Sequence, residues 1–350
     1  MAEASIKRIA ELAGVSSATV SRCLDPRHSS SVLEKKRTKI LGIQKKLGYE
    51  TNVFARKLRR KCTETITLVL PLSVFENPAY PDFSGHNTKL FFEIIKGVTM
   101  EAQKCGYDIK MLPLFDDSPE TLKNAVAKAG FPYSDGVILA GIHELEKLHS
   151  AIKEKQIPVI VAGTHIAEMN NITQVASNPQ SAIDEALKHL YKKGHRKIAF
   201  AAPEKVNAVN EENSSIVQRF TLFRNTLMNL NTYNEKLILA FEDEISVRKW
   251  LAENYKKLPF TALLCCNDAM AFRFIRELEA LNLSVPKDLA IIGYDNNSVY
   301  TEENGLSTVA IPHYEIGSEA LKAIVQMIET KRDINGNIIL PAKFIKGKTS

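Results

Sequence analysis

Apolar residues recur at Ile6, Ile9, Ala10 and Ala13, the i, i+3, i+4, i+7 spacing that lines one face of a short helix. Gly14 breaks the pattern with a residue able to take positive φ, and Val15 fills the corner. A second stripe at Val20 and Leu24 marks another helix. Ser16 stands where its N-cap is needed, which leaves Ser17, Ala18, Ser21 and Arg22 pointing outward. Two amphipathic helices joined by a tight, capped turn make a helix-turn-helix. The pattern predicts a third helix over residues 33–46, with Ile40, Ile43 and Leu47 facing the first two and Gly48 ending it. Gly42 inside that helix costs about 1 kcal/mol relative to Ala, so close packing or a bend is expected there. Residues 52–61, capped by Asn52, read as a helix too short to be stable alone.

From Thr63 onward short β-branched runs alternate with helical stretches, the signature of parallel α/β structure. Strands are expected over 66–70, 108–112, 136–139, 159–161, 174–176, 197–201, 236–241, 262–266 and 289–293. Helices are expected over 91–105, 119–129, 143–155, 179–192, 218–229, 246–258 and 268–281. So many strands exceed one small sheet. A split near Ala176 yields two doubly wound lobes facing a cleft, with ligand at the carboxyl ends of strands.

Composition adds little until the charge is divided. The 350 residues are 45% hydrophobic and 25% charged, ordinary for a globular chain of two or three domains. The net charge of +6 separates into +10 over residues 1–61 and −4 over the rest. A basic head on a mildly acidic body puts the footprint for a polyanion on the helix-turn-helix. Cys23, Cys62, Cys105, Cys265 and Cys266 show no metal-ligand spacing and read as reduced thiols; no metal or cofactor is expected. The vicinal Cys265–Cys266 pair reads either as core of an apolar strand or as a redox sensor. The N-terminus lacks a secretory pattern and no apolar run approaches 18 residues, so a cytoplasmic protein without membrane contact is expected.

The residues in five ordered blocks resemble the LacI/GalR family of bacterial transcription regulators over almost the full chain. The blocks are residues 6–22; 47–52 with 55–58; 135–139; 189–199; and 266–271 with 291–295. The resemblance implies an all-α helix-turn-helix headpiece (1–50), a hinge helix (51–62) and an α/β core (63–350) like a type I periplasmic binding protein. Its two lobes, joined by three crossovers, would be about 63–175 with 309–329 and about 176–308 with 330–350. Crossings are expected near Ala176, near Thr308 and after Met327, with a helix at 315–328 in the first lobe and a tail at 338–345 in the second. The heptad tail of the family's tetramers is not found before Lys348 to Ser350, and a homodimer is expected on a near-palindromic operator in double-stranded DNA.

By that resemblance the second helix enters the major groove. Ser17, Ala18 and Arg22 would read base edges, Arg22 through guanine O6 and N7 or else as a phosphate clamp. Thr19, Ser21 and Asn52 would hold phosphates. Leu58 matches the hinge leucine that wedges into a central base step, or packs on its dimer mate. With Ser16 and Ala55 these complete the expected DNA-contacting set. The loop at 25–31 is longer, and the basic run 56–61 denser, than the family pattern.

The effector, a small molecule and by the family's pattern a sugar or related metabolite, is expected between the lobes against Arg219, Asn267 and Asp295. The arginine and the aspartate would stand on opposite walls and bond adjacent hydroxyls. Phe241 and Phe223 would offer apolar faces. Two alternatives are open: Asp295 as a helix cap, and Arg219 paired with a local carboxylate. Phe75, Tyr80 and Phe83 either line the pocket or close their loop. Gly163 and Ser177 replace acidic residues of sugar-binding relatives, so the ligand does not transfer. No nucleophile elbow, P-loop or spaced acid/base pair is present, which argues against a sugar-active enzyme. A regulator answering a protein co-regulator is the other alternative.

Overall fold

A computed structural model describes residues 5–24, 31–50, 62–71, 87–114, 119–127, 132–141, 157–163, 172–203, 215–241, 244–297, 301–302 and 305–350. The chain divides into two compact units, Met1–Cys62 and Thr63–Ser350.

In the first unit, α1 (Ile6–Ala13), α2 (Ser17–Cys23) and α3 (Glu34–Leu47) enclose a small core. Ile9, Ala10, Ala13, Val20, Cys23, Val32 and Ile40 are buried, and Ile6, Val15, Leu24, Ile43 and Leu47 pack around them. Both predicted stripes therefore meet. Ser5 caps α1 by accepting from Arg8 N at 3.2 Å, and Gly14 closes it at φ +67°. Ser16 Oγ accepts from Thr19 N at 3.2 Å, so the cap that starts α2 lies two residues beyond the turn. Gly42 is exposed, and a Cβ added there would meet nothing within 4 Å. The expected close packing is thus absent among the described residues.

The second unit holds two six-stranded sheets. The first contains β1 (Thr65–Pro71), β2 (Asp108–Leu114), β3 (Gly136–Ala140), β4 (Val159–Ala162), β5 (Thr173–Asn178) and β11 (Ile338–Pro341). They lie in the order β11-β5-β4-β3-β1-β2, all parallel. Period-two alternation sends Ile66, Leu68 and Leu70 to one face and Val69 to the other. The first face is covered by α4 (Asn87–Cys105) and α10 (His313–Thr330); α5 (Pro119–Ala127) contributes Ala125 to the second. Asp135 anchors the entry to β1: its carboxylate accepts from Thr63 N at 2.6 Å and Glu64 N at 2.7 Å.

The second sheet contains β6 (Ile198–Ala202), β7 (Ile238–Ala240), β8 (Ala262–Cys265), β9 (Ala290–Asp295), β10 (Ser307–Ala310) and β12 (Lys343–Ile345). Its order is β12-β10-β9-β8-β6-β7, with β12 antiparallel to β10. Around it lie α6 (Gln180–Lys192), α7 (Ser215–Asn229), α8 (Glu244–Asn254) and α9 (Asp268–Ala280). The block 189–199 is structural here. Gly194 turns the chain at φ +94°, and Arg196 stacks over Tyr191 at 3.5 Å while donating to its carbonyl at 2.7 Å.

Three expectations are corrected. Residues 236–241 do not form one strand, because Asn234 Oδ1 accepts from Lys236 N and winds a 3₁₀ turn over Glu235–Leu237 before β7. Residues 307–310, for which no strand is expected, form one, and the crossing expected near Thr308 follows it after Ala310. The tail does not belong wholly to the second lobe: β11 pairs with β5 and only β12 joins the second sheet, which moves the third crossing from Met327 to Ala342. An open edge on β5 drives this, since its exposed ladder groups need partners. Side chains lock the pairing: Thr173 Oγ1 donates to Ile334 O at 2.9 Å, and Ser177 Oγ donates to Leu340 O at 3.0 Å. The predicted helix at 143–155 and the hinge at 51–61 lie outside the described residues.

Candidate DNA-binding surface and ligand cleft

Val20 and Cys23 hold α2 against the headpiece core, which turns Ser17, Ala18, Ser21 and Arg22 to solvent on its other side. Thr19 is half-buried, and its hydroxyl lies 2.9 Å from that of Ser16, so both side chains are already engaged in the cap. Burial pushes the Cys23 thiol up, as befits a core residue. Lys7, Lys35, Lys36, Lys39, Lys45 and Lys46 are exposed on α1 and α3. Asn52, Ala55 and Leu58 lie outside the described residues.

The polar residues named for the cleft gather at the carboxyl edge of the second sheet. Arg219, from α7, grips Asp295 at the end of β9 with two bonds: Nη2 donates to Oδ1 at 2.8 Å and Nη1 to Oδ2 at 3.2 Å. Nη1 also donates to Cys266 O at 2.5 Å, and the guanidinium lies over the Tyr294 ring at 3.9 Å. The two residues are therefore partners on one lobe, not opposing walls. Burial pushes the Asp295 carboxyl up to about 6 against the pull of Arg219. Its backbone is strained as well, with φ +104°, outside the small left-handed well that a non-glycine residue tolerates. A buried, doubly bonded ion pair on strained backbone marks a place where local cost is held by the surroundings.

Asn267 is the helix cap: its Oδ1 accepts from Met270 N at 2.9 Å and starts α9. Behind it lies Asp268, whose Oδ1 accepts from Thr308 Oγ1 and whose Oδ2 accepts from Asn297 N, both at 2.6 Å. Burial pushes that carboxyl up to about 8. Phe223 and Phe241 are corrected. Phe223 is fully buried against Phe200, with ring centroids 5.1 Å apart, and Phe241 packs edge-on against Trp250 and Phe274. Neither ring keeps a face for a ligand. Phe75, Tyr80 and Phe83 lie outside the described residues. Cys265 and Cys266 are buried and free, and burial pushes the Cys266 thiol up to about 12, a core role rather than a reactive one.

Residues 5–52 match the family model of bacterial regulatory proteins, lacI family, and residues 187–350 match that of a periplasmic binding protein-like domain. The chain thus joins a lacI-family helix-turn-helix domain to a periplasmic binding protein-like domain. Across 98% of this chain and 97% of the relative it is 26% identical to the HTH-type transcriptional regulator KdgR of Bacillus subtilis (strain 168). The lac repressor dimer bound to operator and the anti-inducer ONPF superposes with TM-score 0.75 at 19% identity, covering 99% of this chain and 98% of that one. A transcriptional regulator CelR–cellobiose complex gives TM-score 0.66 at 22% identity, covering 99% and 100%.

Two residues near this cluster, Asp268 and His313, are not among those the sequence singles out. Asp268 follows the cap and carries no pattern of its own. His313 opens α10 just past β10, and no spacing signal distinguishes it from any helix-start histidine. The pairing of Ala310 with Asp295 brings that segment to the carboxyl end of β9.

Proposed function

We propose that this protein is a transcriptional repressor that binds a near-palindromic operator as a homodimer and releases or holds it in response to a small polyhydroxylated metabolite. The carrying observation is the geometry of α2. A capped helix on a basic unit presents Ser17, Ala18, Ser21 and Arg22 outward while Val20 and Cys23 anchor it. That is the arrangement a major-groove reader requires. Arg22 supplies base readout and Ser21 a phosphate contact. Ser16 and Thr19 act through the cap they share, presenting backbone N–H groups to a phosphate. Asn52 adds a phosphate contact, and Ala55 and Leu58 act in the minor groove.

The Arg219–Asp295 pair with Asn267 beside it is the effector end of the device. Fixed donors and acceptors on a strand edge suit vicinal hydroxyls. The lac repressor dimer was solved on operator and the CelR regulator with cellobiose, which supports both halves of the reading. The site binds rather than transforms its ligand, and the protein works in the cytoplasm where its DNA is. Fluorescence anisotropy on fragments of the source genome tests this. Arg22→Ala is expected to cost about 1 to 3 kcal/mol on the preferred fragment and much less on unrelated DNA. Equal losses on both would remove the base-reading role, and the absence of any preferred fragment would remove the function.

A further inference from the structure

His313 occupies the first position of α10, three residues past Ala310, whose register partner in the sheet is Asp295. Its segment is the second passage between lobes, and α10 then packs along α4 in the first lobe. Both ring nitrogens are shielded from solvent, and neither has a hydrogen-bond partner among the described residues. An imidazole carries one donor and one acceptor when neutral, and leaving both unmade in the interior is costly. Nothing in the packing of α10 requires it, since Ile316, Ala320 and Ile324 hold the helix to its core. Burial, aided by the charge of Arg219, holds the ring neutral at neutral pH. Arg219 holds Asp295, beside which Ala310 lies, so the segment leading to His313 leaves the sheet at the Arg219–Asp295 pair.

We propose that His313 is the first lobe's specificity residue for the effector, its neutral ring exchanging hydrogen bonds with a hydroxyl of the same ligand that Arg219 and Asp295 hold. This rests on the effector reading above and adds a residue and a consequence. A ligand that satisfies His313 on α10 and Arg219 on α7 ties the two lobes together, so binding and lobe closure share one contact. A hydroxyl fits because it can both donate and accept, whereas a carboxylate or phosphate offers the ring's lone pair nothing.

The test uses the full chain with ribose, glucose, cellobiose and adenosine as probes in a thermal-shift and calorimetry series. His313→Phe removes the orphaned nitrogens, so the ligand-free variant is expected to melt higher than the parent. It is also expected to bind the best probe at least about tenfold more weakly, while His313→Gln, which keeps a donor and an acceptor, stays within about threefold of the parent. Unchanged affinity in His313→Phe overturns the role of His313 alone, as does a lower melting point without ligand, which would reveal a structural partner. A parent protein that none of the probes shifts, with Arg219→Ala equally indifferent, overturns the effector reading and this inference with it.

Discussion

Asp268 has both carboxyl oxygens spoken for in the interior, one accepting from the Thr308 hydroxyl and one from the Asn297 amide, and neither bond brings a positive charge. Burial therefore holds it protonated up to about 8 in the folded protein, against about 4 in an unfolded chain. The folded state binds more protons across that window, so this contribution is full below about pH 4 and is lost as pH rises toward 8. His313 has the opposite sense. Its folded value lies near 3, below the ordinary histidine value, so it withdraws stability as pH falls through 6 and below. Asp268→Asn copies the protonated carboxyl and is expected to abolish the first trend. Relative to the parent, its unfolding free energy in urea should gain on the order of 4 kcal/mol between pH 5 and pH 8. A constant difference across that range would show that Asp268 is ionised throughout. None of this could be read from the Asn267–Asp268 dipeptide, because a carboxyl's neighbours across 40 residues of sequence, not its own type, decide its charge.

At the scale of elements, the helices and strands with their own punctuation were the legible ones. Ser16 and Gly14 announce the turn before α2 by local bonding alone, and Ser16→Ala is expected to cost about 1 kcal/mol in headpiece stability by thermal melting. The contact of α4 with α10 was not legible. Gly97 and Gly317 lie where those helices cross, and a Cβ on either would strike the facing backbone, Tyr314 O in one case and Ile94 O in the other. Each glycine sits within a helical pattern that any residue would continue, so only the close approach explains it. Gly97→Ala or Gly317→Ala is expected to destabilise the core by roughly 1 to 3 kcal/mol or more, read by urea denaturation, despite the better helix propensity of alanine. A neutral or stabilising result would mean that the helices separate without cost. The swap of β11 to the first sheet belongs here too: its residues carry the alternation of a strand, and the choice of sheet rests on which edge was open.

For the whole molecule, the charge asymmetry makes a measurable statement. A dimer carrying two headpieces of +10 each should release many counterions, so operator affinity is expected to fall about a thousandfold or more between about 50 and about 200 mM salt. A flat response would remove the polyanion role from residues 1–61. Leu58→Ala is expected to weaken operator binding more than binding to unrelated DNA, since a wedge that kinks the duplex gains energy only where the base step yields. Sequence alone determined the two kinds of unit, the capped second helix and the alternation of nearly every strand, because these follow from side-chain periodicity and from bonds within a few residues. Tertiary structure alone decided the crossing at Ala342, the burial of Phe223 and Phe241, the pairing of Arg219 with Asp295 and the stranded imidazole of His313. Those depend on which distant segment arrives alongside and on how much water it displaces, and a linear pattern holds no record of either.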